Sequence, residues 1–154
     1  MTPSRMRIVE AESSHIERWV LLRASLWPED GLVEHRDEAL AMLRQRDGSV
    51  AVFIALDDAD TALGFAEASI RRDYVNGCET SPVLFLEGLY VDPAARRQGC
   101  ARALTQAADA WGRAGGCREM ASDADIDNHD SHAFHEALGL RETERVVYFR
   151  KPLD

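Results

Sequence analysis

The chain has 154 residues, enough to bury a core of its own. Hydrophobic residues make up 45% and charged residues 29%, and the formal net charge is −9, a globular balance whose sign excludes nucleic acid, because phosphate backbones need clustered positive charge. No apolar run reaches the length of a membrane span, and "MTPSRMRIVE" lacks the apolar centre of a signal peptide. A cytoplasmic protein with no membrane partner is therefore expected.

In chain order, "RMRIVEA" (5–11) reads as a short strand. Ser14-His15-Ile16-Glu17 has the spacing of a capping box and predicts a helix through "IERWVLLRASLW", stopped near Pro28. "EHRDEALAMLRQR" (34–46) predicts a second helix ending before Gly48. "VAVFIAL" (50–56) and "ALGFAEASI" (62–70) flank "DDADT" and predict a hairpin. A polar loop, "RRDYVNGCETSP" (71–82), leads into the apolar strand "VLFLEGLYV" (83–91). A helix follows from about 98 to 114, closed by Gly115 and Gly116. "CREMASD" (117–123) is strand-like, "NHDSHAFHEALG" (128–139) is a short helix, and "RVVYFRKPL" (145–153) is a last strand. The order β-α-α-β-β-β-α-β-α-β predicts one α/β domain over 1–154 with a mixed central sheet and flanking helices.

Cys78, Cys100 and Cys117 are far apart in sequence and form no C-x-x-C pair, so free thiols are expected rather than disulfides or a zinc site. His129, His132 and His135 recur every third residue, which rotates them around a helix. No metal is expected there.

The stretch "VDPAARRQGCARAL" (91–104) joins a buried strand to a helix through a glycine ringed by arginines. Backbone N–H groups from about 97 to 102 would converge on an anion, Gly99 would allow close approach and Ala101 would keep the helix start narrow. Arg96, Arg97 and Arg102 add positive charge. An ordinary strand-to-helix connection with solvated arginines is the alternative.

Arg96-Arg97-Gln98-Gly99-Cys100-Ala101 matches the R/Q-x-x-G-x-G/A turn of the GCN5-related N-acetyltransferases, and "NHDSHAFHEALGL" is similar to that family's downstream helix region. "LWP" (26–28), "RRDYVNGCETSPVLFLEGLYV" (71–91), "GCREMASD" (116–123) and "HEALGLRETERVVYFRK" (135–151) resemble the aminoglycoside 6′-N-acetyltransferases within it. The resemblance implies the GCN5-related acetyltransferase fold, with the sheet splayed at strand 83–91 to admit acetyl-CoA as co-substrate. It implies that the backbone of Leu89, Tyr90 and Val91 binds the pantetheine arm, with the Leu89 N–H polarising the thioester carbonyl. Arg96, Arg97, Gln98, Gly99, Cys100, Ala101 and Arg102 would hold the diphosphate. Asn128 would touch a pantetheine amide, or act as a plain helix cap. Where many members carry tyrosine, this chain has His135, which would protonate the departing thiolate or else only pack locally.

Acetyl transfer to an amine needs a proton acceptor, an oxyanion donor and a proton for the thiolate, but no protein nucleophile. Glu87 interrupts an apolar strand, where a charge is costly unless it faces a cleft or a partner. It is expected to bind the substrate ammonium and accept its proton; pairing with an arginine of the neighbouring strand is the alternative. Asp123 would orient a cationic sugar, and Asp125 and Asp127 would be loop solvation. Glu79, Tyr74 and Trp27 would line the acceptor side, or else serve only packing and solvation. The resemblance implies 6′-amine acetylation of aminoglycosides, antibiotic resistance and a homodimer in which "RVVYFRK" pairs across the interface. A polyamine or protein amine as acceptor, or a non-catalytic acyl-CoA sensor, are the rival readings.

Overall fold

The computed structural model describes residues 5–154; the first four residues of the N-terminal stretch read above for targeting lie outside them. The sheet holds five strands in the order β1-β2-β3-β4-β5: Arg7–Glu10, Val50–Leu56, Ala62–Arg71, Val83–Val91 and Met120–Ala121. The first four run antiparallel to their neighbours, and β4 pairs with β5 in parallel. The turn between β2 and β3 is closed by Asp57, whose carboxylate accepts the N–H groups of Ala59 and Thr61, each at 2.9 Å. A short acceptor on the first turn residue can do this while the chain reverses.

Helices α1 (Ile16–Leu26) and α2 (Leu32–Arg44) cover one face of the sheet. Helix α3 (Cys100–Ala114) covers the other, and α4 (His129–Ala137) follows β5. Along α3, Cys100, Leu104, Ala108 and Gly112 are buried. Their four-residue spacing makes one narrow stripe. Gly112 lets the helix lie against the sheet, since a Cβ there would sit 2.8 Å from Leu84 Cδ2. On the opposite face Trp19 and Phe65 are fully buried. Burying each stabilises the fold by about 1.5–3 kcal/mol.

Three expectations change. Helix α1 begins at Ile16, and the reciprocal cap lies two residues earlier than Ser14–Glu17. A tight 3-10 turn, Ser13–His15, precedes the helix; the Glu12 carboxylate accepts the His15 N–H, and the Glu12 N–H donates to His15 Nδ1 at 2.9 Å. The strand expected over 117–123 shrinks to Met120–Ala121, because β4 diverges from it beyond Phe85. The last strand, 145–153, has no ladder partner within the described chain. Val147, Tyr148 and Phe149 are 77%, 82% and 92% exposed. A run of β-branched and aromatic residues reports strand propensity, whereas a strand also needs a neighbour to bond.

Candidate active site

The site begins with one extra residue. Glu67 pairs with Gly88 and Ala68 with Leu86, so Glu87 has no partner opposite and bulges from β4. The bulge reverses which residues aim their backbone at β5. Before it, Leu84 donates its N–H to Glu119 O at 3.0 Å, so even-numbered residues face β5. After it, Asp92 donates to Leu63 O on the β3 side, at 2.7 Å, so even-numbered residues face β3. Leu89 and Val91 therefore turn their backbone toward the gap. The β4–β5 ladder has already ended at Phe85–Ala121, which leaves the gap open. Tyr90, expected to present its backbone there, instead bonds toward β3 opposite Phe65, and its ring faces the α1 side with the Arg96 guanidinium 5.5 Å away.

The turn after β4 leads into this opening. Arg97 has φ 65° and Gly99 φ 81°. A non-glycine residue in the left-handed region is uncommon, and two such residues within three positions curl the N–H groups into a concave nest. Helix α3 starts with no side-chain cap, and nothing lies within 4 Å of where a Gly99 Cβ would be. The free N–H groups and the empty space fit a diphosphate. Arg97, Gln98 and Arg102 are exposed around the turn, and Ala101 is half-buried. Arg96 has a second task, donating Nε–H to Val91 O at 3.1 Å. Cys100 is buried, and burial pushes its thiol up to about 11, so it packs rather than reacts.

On the α1/α2 face, the ends of β3 and β4 run out beyond the helices. Glu87 lies there with its side chain 37% exposed. Of the two alternatives for this residue, the one seen is the arginine pairing. Its carboxylate is paired with Arg71 of β3, through Nη2 at 2.8 and 3.0 Å, and it accepts from Ser69 Oγ at 2.6 Å. Yet it remains partly open to solvent. Arg71 is itself held 3.5 Å above the Phe85 ring. Trp27, the residue that ends α1, lays its ring on Gly88 beside Glu87. Tyr74 and Glu79 are exposed on the loop before β4, and Asp123 is exposed just past β5. Asp125 and Asp127 are exposed in the turn that follows.

Asn128 takes the capping role, accepting the Ser131 N–H at 3.1 Å. His135 lies at the mouth of the gap. Its Nδ1 donates to Ser131 O at 2.7 Å, and its Nε2 is 2.9 Å from Ser122 Oγ. Ser122 Oγ also lies 3.1 Å from Leu86 O, the residue before the bulge. One hydroxyl proton serves one of these acceptors at a time, so Ser122 follows the protonation of Nε2. His129 and His132 turn elsewhere, the latter onto Asp125 O.

Several site residues were not singled out in the sequence. Arg71 and Ser69 hold Glu87, yet Arg71 had read as loop. Glu119 clamps that loop: its Oε1 accepts from Glu79 N at 2.9 Å, Thr80 N at 2.7 Å and the Thr80 hydroxyl. These bonds, the Thr80 hydroxyl foremost, hold its carboxyl below the ordinary 4.5. A lowered folded value means the clamp contributes above the unfolded value and is lost as pH falls through the folded one. Amide exchange at Glu79 and Thr80, corrected for intrinsic rate, should thus accelerate below pH 4.5. Glu119→Ala should show the fast exchange at neutral pH; equal protection in both proteins at pH 7 would contradict the clamp.

The model of the acetyltransferase (GNAT) family matches residues 16–140. An aminoglycoside N(6′)-acetyltransferase type 1 of Salmonella enteritidis is 48% identical over 149 residues, covering 95% of this chain and 99% of that protein. The one from Stenotrophomonas maltophilia is 46% identical over 155 residues, covering 100% and 98%. Among solved structures, AAC(6′)-Iy in complex with the bisubstrate analog CoA-S-monomethyl-acetylneamine superposes with a TM-score of 0.89 at 46% identity, covering 97% of this chain and 100% of that one. AAC(6′)-Ih from Acinetobacter baumannii superposes at 0.91 with 44% identity, covering 97% and 100%. A splayed sheet, an uncapped anion turn and an open carboxylate beside the bulge thus come with long, near-complete similarity, and the chain belongs to the GNAT acetyltransferase family, among its aminoglycoside 6′-N-acetyltransferases.

Proposed function

We propose that the protein transfers acetyl from acetyl-CoA directly to the 6′-amine of an aminoglycoside, in a ternary complex within one acetyltransferase domain, and so confers resistance. The observation that carries the reading is the parity reversal at Glu87. It aims the Leu89 N–H into the gap where a thioester carbonyl would lie, while Glu87 itself stays on the open face. Leu89 then supplies the hydrogen bond that strengthens as charge develops on the carbonyl oxygen. The backbone of Val91 continues the same edge, whereas that of Tyr90 is committed to β3, and the nest from Arg96 to Arg102 receives the diphosphate.

On the amine side, Glu87 attracts the ammonium and takes its proton, directly or through water. The nitrogen bonds to the acetyl carbon, the carbon–sulfur bond breaks, and His135 returns a proton to sulfur. Ser122 would relay the proton: its Oγ takes the proton of Nε2 as its own hydroxyl proton leaves Leu86 O for the sulfur. Trp27, Tyr74, Glu79 and Asp123 wall the acceptor. The net charge of −9 favours an acceptor with several ammonium groups. Acetyl-CoA is a cytoplasmic metabolite, which agrees with a chain whose described helices include none long and apolar enough to cross a membrane.

Thiol release from acetyl-CoA in the presence of kanamycin or tobramycin, with mass spectrometry locating the modified nitrogen, tests the assignment. Acetylation at the 6′-nitrogen is expected. Turnover with polyamines or a peptide amine alone would transfer the acceptor to another class, and tight binding without turnover would make the protein a sensor. The exposed segment Val146–Phe149 supports a homodimer in which this strand pairs with a second copy. Sedimentation equilibrium should give the mass of two chains, and a monomer at micromolar concentration would refute the pairing.

A further inference from the structure

A buried ion pair lies under the amine side of the sheet, and no step above uses it. Arg23 of α1 and Glu67 of β3 are 3% and 4% exposed. The Arg23 guanidinium donates to Glu67 through Nη1 and to Glu38 of α2 through Nη2. Its Nε donates to His35 Nδ1 at 3.3 Å. Trp19 Nε1 donates to the other Glu67 oxygen at 2.9 Å. Because His35 Nδ1 accepts, its Nε2 carries the proton and donates to the Trp27 carbonyl at 2.9 Å. The imidazole also stacks on the Trp27 ring, with planes 18° apart and centroids 6.3 Å apart. The Arg23 guanidinium carbon sits 4.8 Å from the same ring.

Two ends of this network meet at one contact. Trp27 lies on Gly88, and Glu67 is the residue opposite Gly88 on the neighbouring strand. One guanidinium therefore grips both the ring above the bulge and the strand beside it. Stability alone does not call for such a pair, since apolar groups of similar volume often serve as well or better. A fork with fixed, planar donors does select one geometry, which a lysine could not reproduce.

We propose that Arg23 and Glu67 are positioning residues that seat Trp27 on the Gly88 bulge and so set the distance between the acceptor wall and the outward-facing Leu89 N–H. The inference rests on the reading that Trp27 walls the amine site.

Steady-state kinetics with kanamycin and acetyl-CoA test it, on variants whose folded fraction is checked by circular dichroism. Arg23→Met combined with Glu67→Gln removes both charges and keeps an acceptor for Trp19. This variant should raise the kanamycin KM about tenfold or more, with the acetyl-CoA KM within about twofold of wild type. Trp27→Ala should raise the kanamycin KM alike. Adding Trp27→Ala to the charge-free pair should cause little further loss, because both act through the same ring. A merely structural pair would lower the active fraction without separating the two KM values, and its effect would multiply with that of Trp27→Ala; that result would overturn the proposal. An unchanged kanamycin KM in Trp27→Ala alone would instead remove the acceptor-wall reading, and the proposal with it. If the charge-free pair does not fold, Arg23→Lys carries the same comparison: it keeps the charge, and a wild-type kanamycin KM in it would refute the need for the fork.

Discussion

Glu87→Gln is expected to lower kcat/KM for kanamycin about 10²- to 10³-fold while leaving the acetyl-CoA KM near wild type. The amide keeps the shape and still accepts from Ser69 Oγ, which lies 2.6 Å from the carboxylate. It loses the charge that holds an ammonium and the basicity that takes its proton. Arg71 does not make the carboxylate unavailable. Its Nη2 reaches both oxygens, at 2.8 and 3.0 Å, but a carboxylate has about four lone-pair sites, and this one is 37% exposed. The bidentate grip instead fixes the direction of the remaining lone pairs toward the open face. Initial rates at saturating acetyl-CoA give the answer. Full activity in Glu87→Gln would leave the amine without a protein partner for its proton and return the site to a water-mediated route.

Gly88→Val should have the second large effect, because it strikes both substrates' sides together. A Cβ at Gly88 would lie 2.5 Å from Trp27 Cη2 and 2.8 Å from Cζ2. The ring cannot swing away freely, since His35, Phe65 and Arg23 surround it. Overpacking of this kind costs about 1–3 kcal/mol of stability. The strand can relieve the clash only by moving the bulge, which displaces the Leu89 N–H. We expect kcat to fall about 10²-fold in protein that remains folded, as a misplacement near 1 Å does elsewhere. Urea unfolding and steady-state kinetics on the same sample separate the two effects. Normal kcat in a destabilised Gly88→Val would show that the bulge and the ring are not coupled to the reaction.

The anion turn was the most legible part of the site. Its meaning is local: a glycine, small neighbours and a helix start lie within a few residues, and the chain makes the turn by itself. Even there, the left-handed Arg97 was not foreseen, because nothing in a run of two arginines marks the second for positive φ. Glu87 was legible as an anomaly, a charge inside an apolar strand. Its role needed more. Its sequence allowed an arginine partner or a substrate, and the fold supplies the arginine, with the carboxylate still 37% exposed.

Composition, hydrophobic periodicity and the punctuation by glycine and proline determined the α/β class, the order of the elements as far as α4 and the place of the glycine turn before α3. These are short-range properties, written within one strand or one helix. Tertiary structure alone decided the rest: which strand residues face the gap after a one-residue bulge, that Arg71 and Ser69 meet Glu87, that Arg23 reaches from α1 to β3, and that the last apolar segment finds no ladder partner among the described residues. Each depends on pairing register or on contacts between segments far apart in sequence, and a side chain's neighbours across a sheet are set by that register rather than by its own identity.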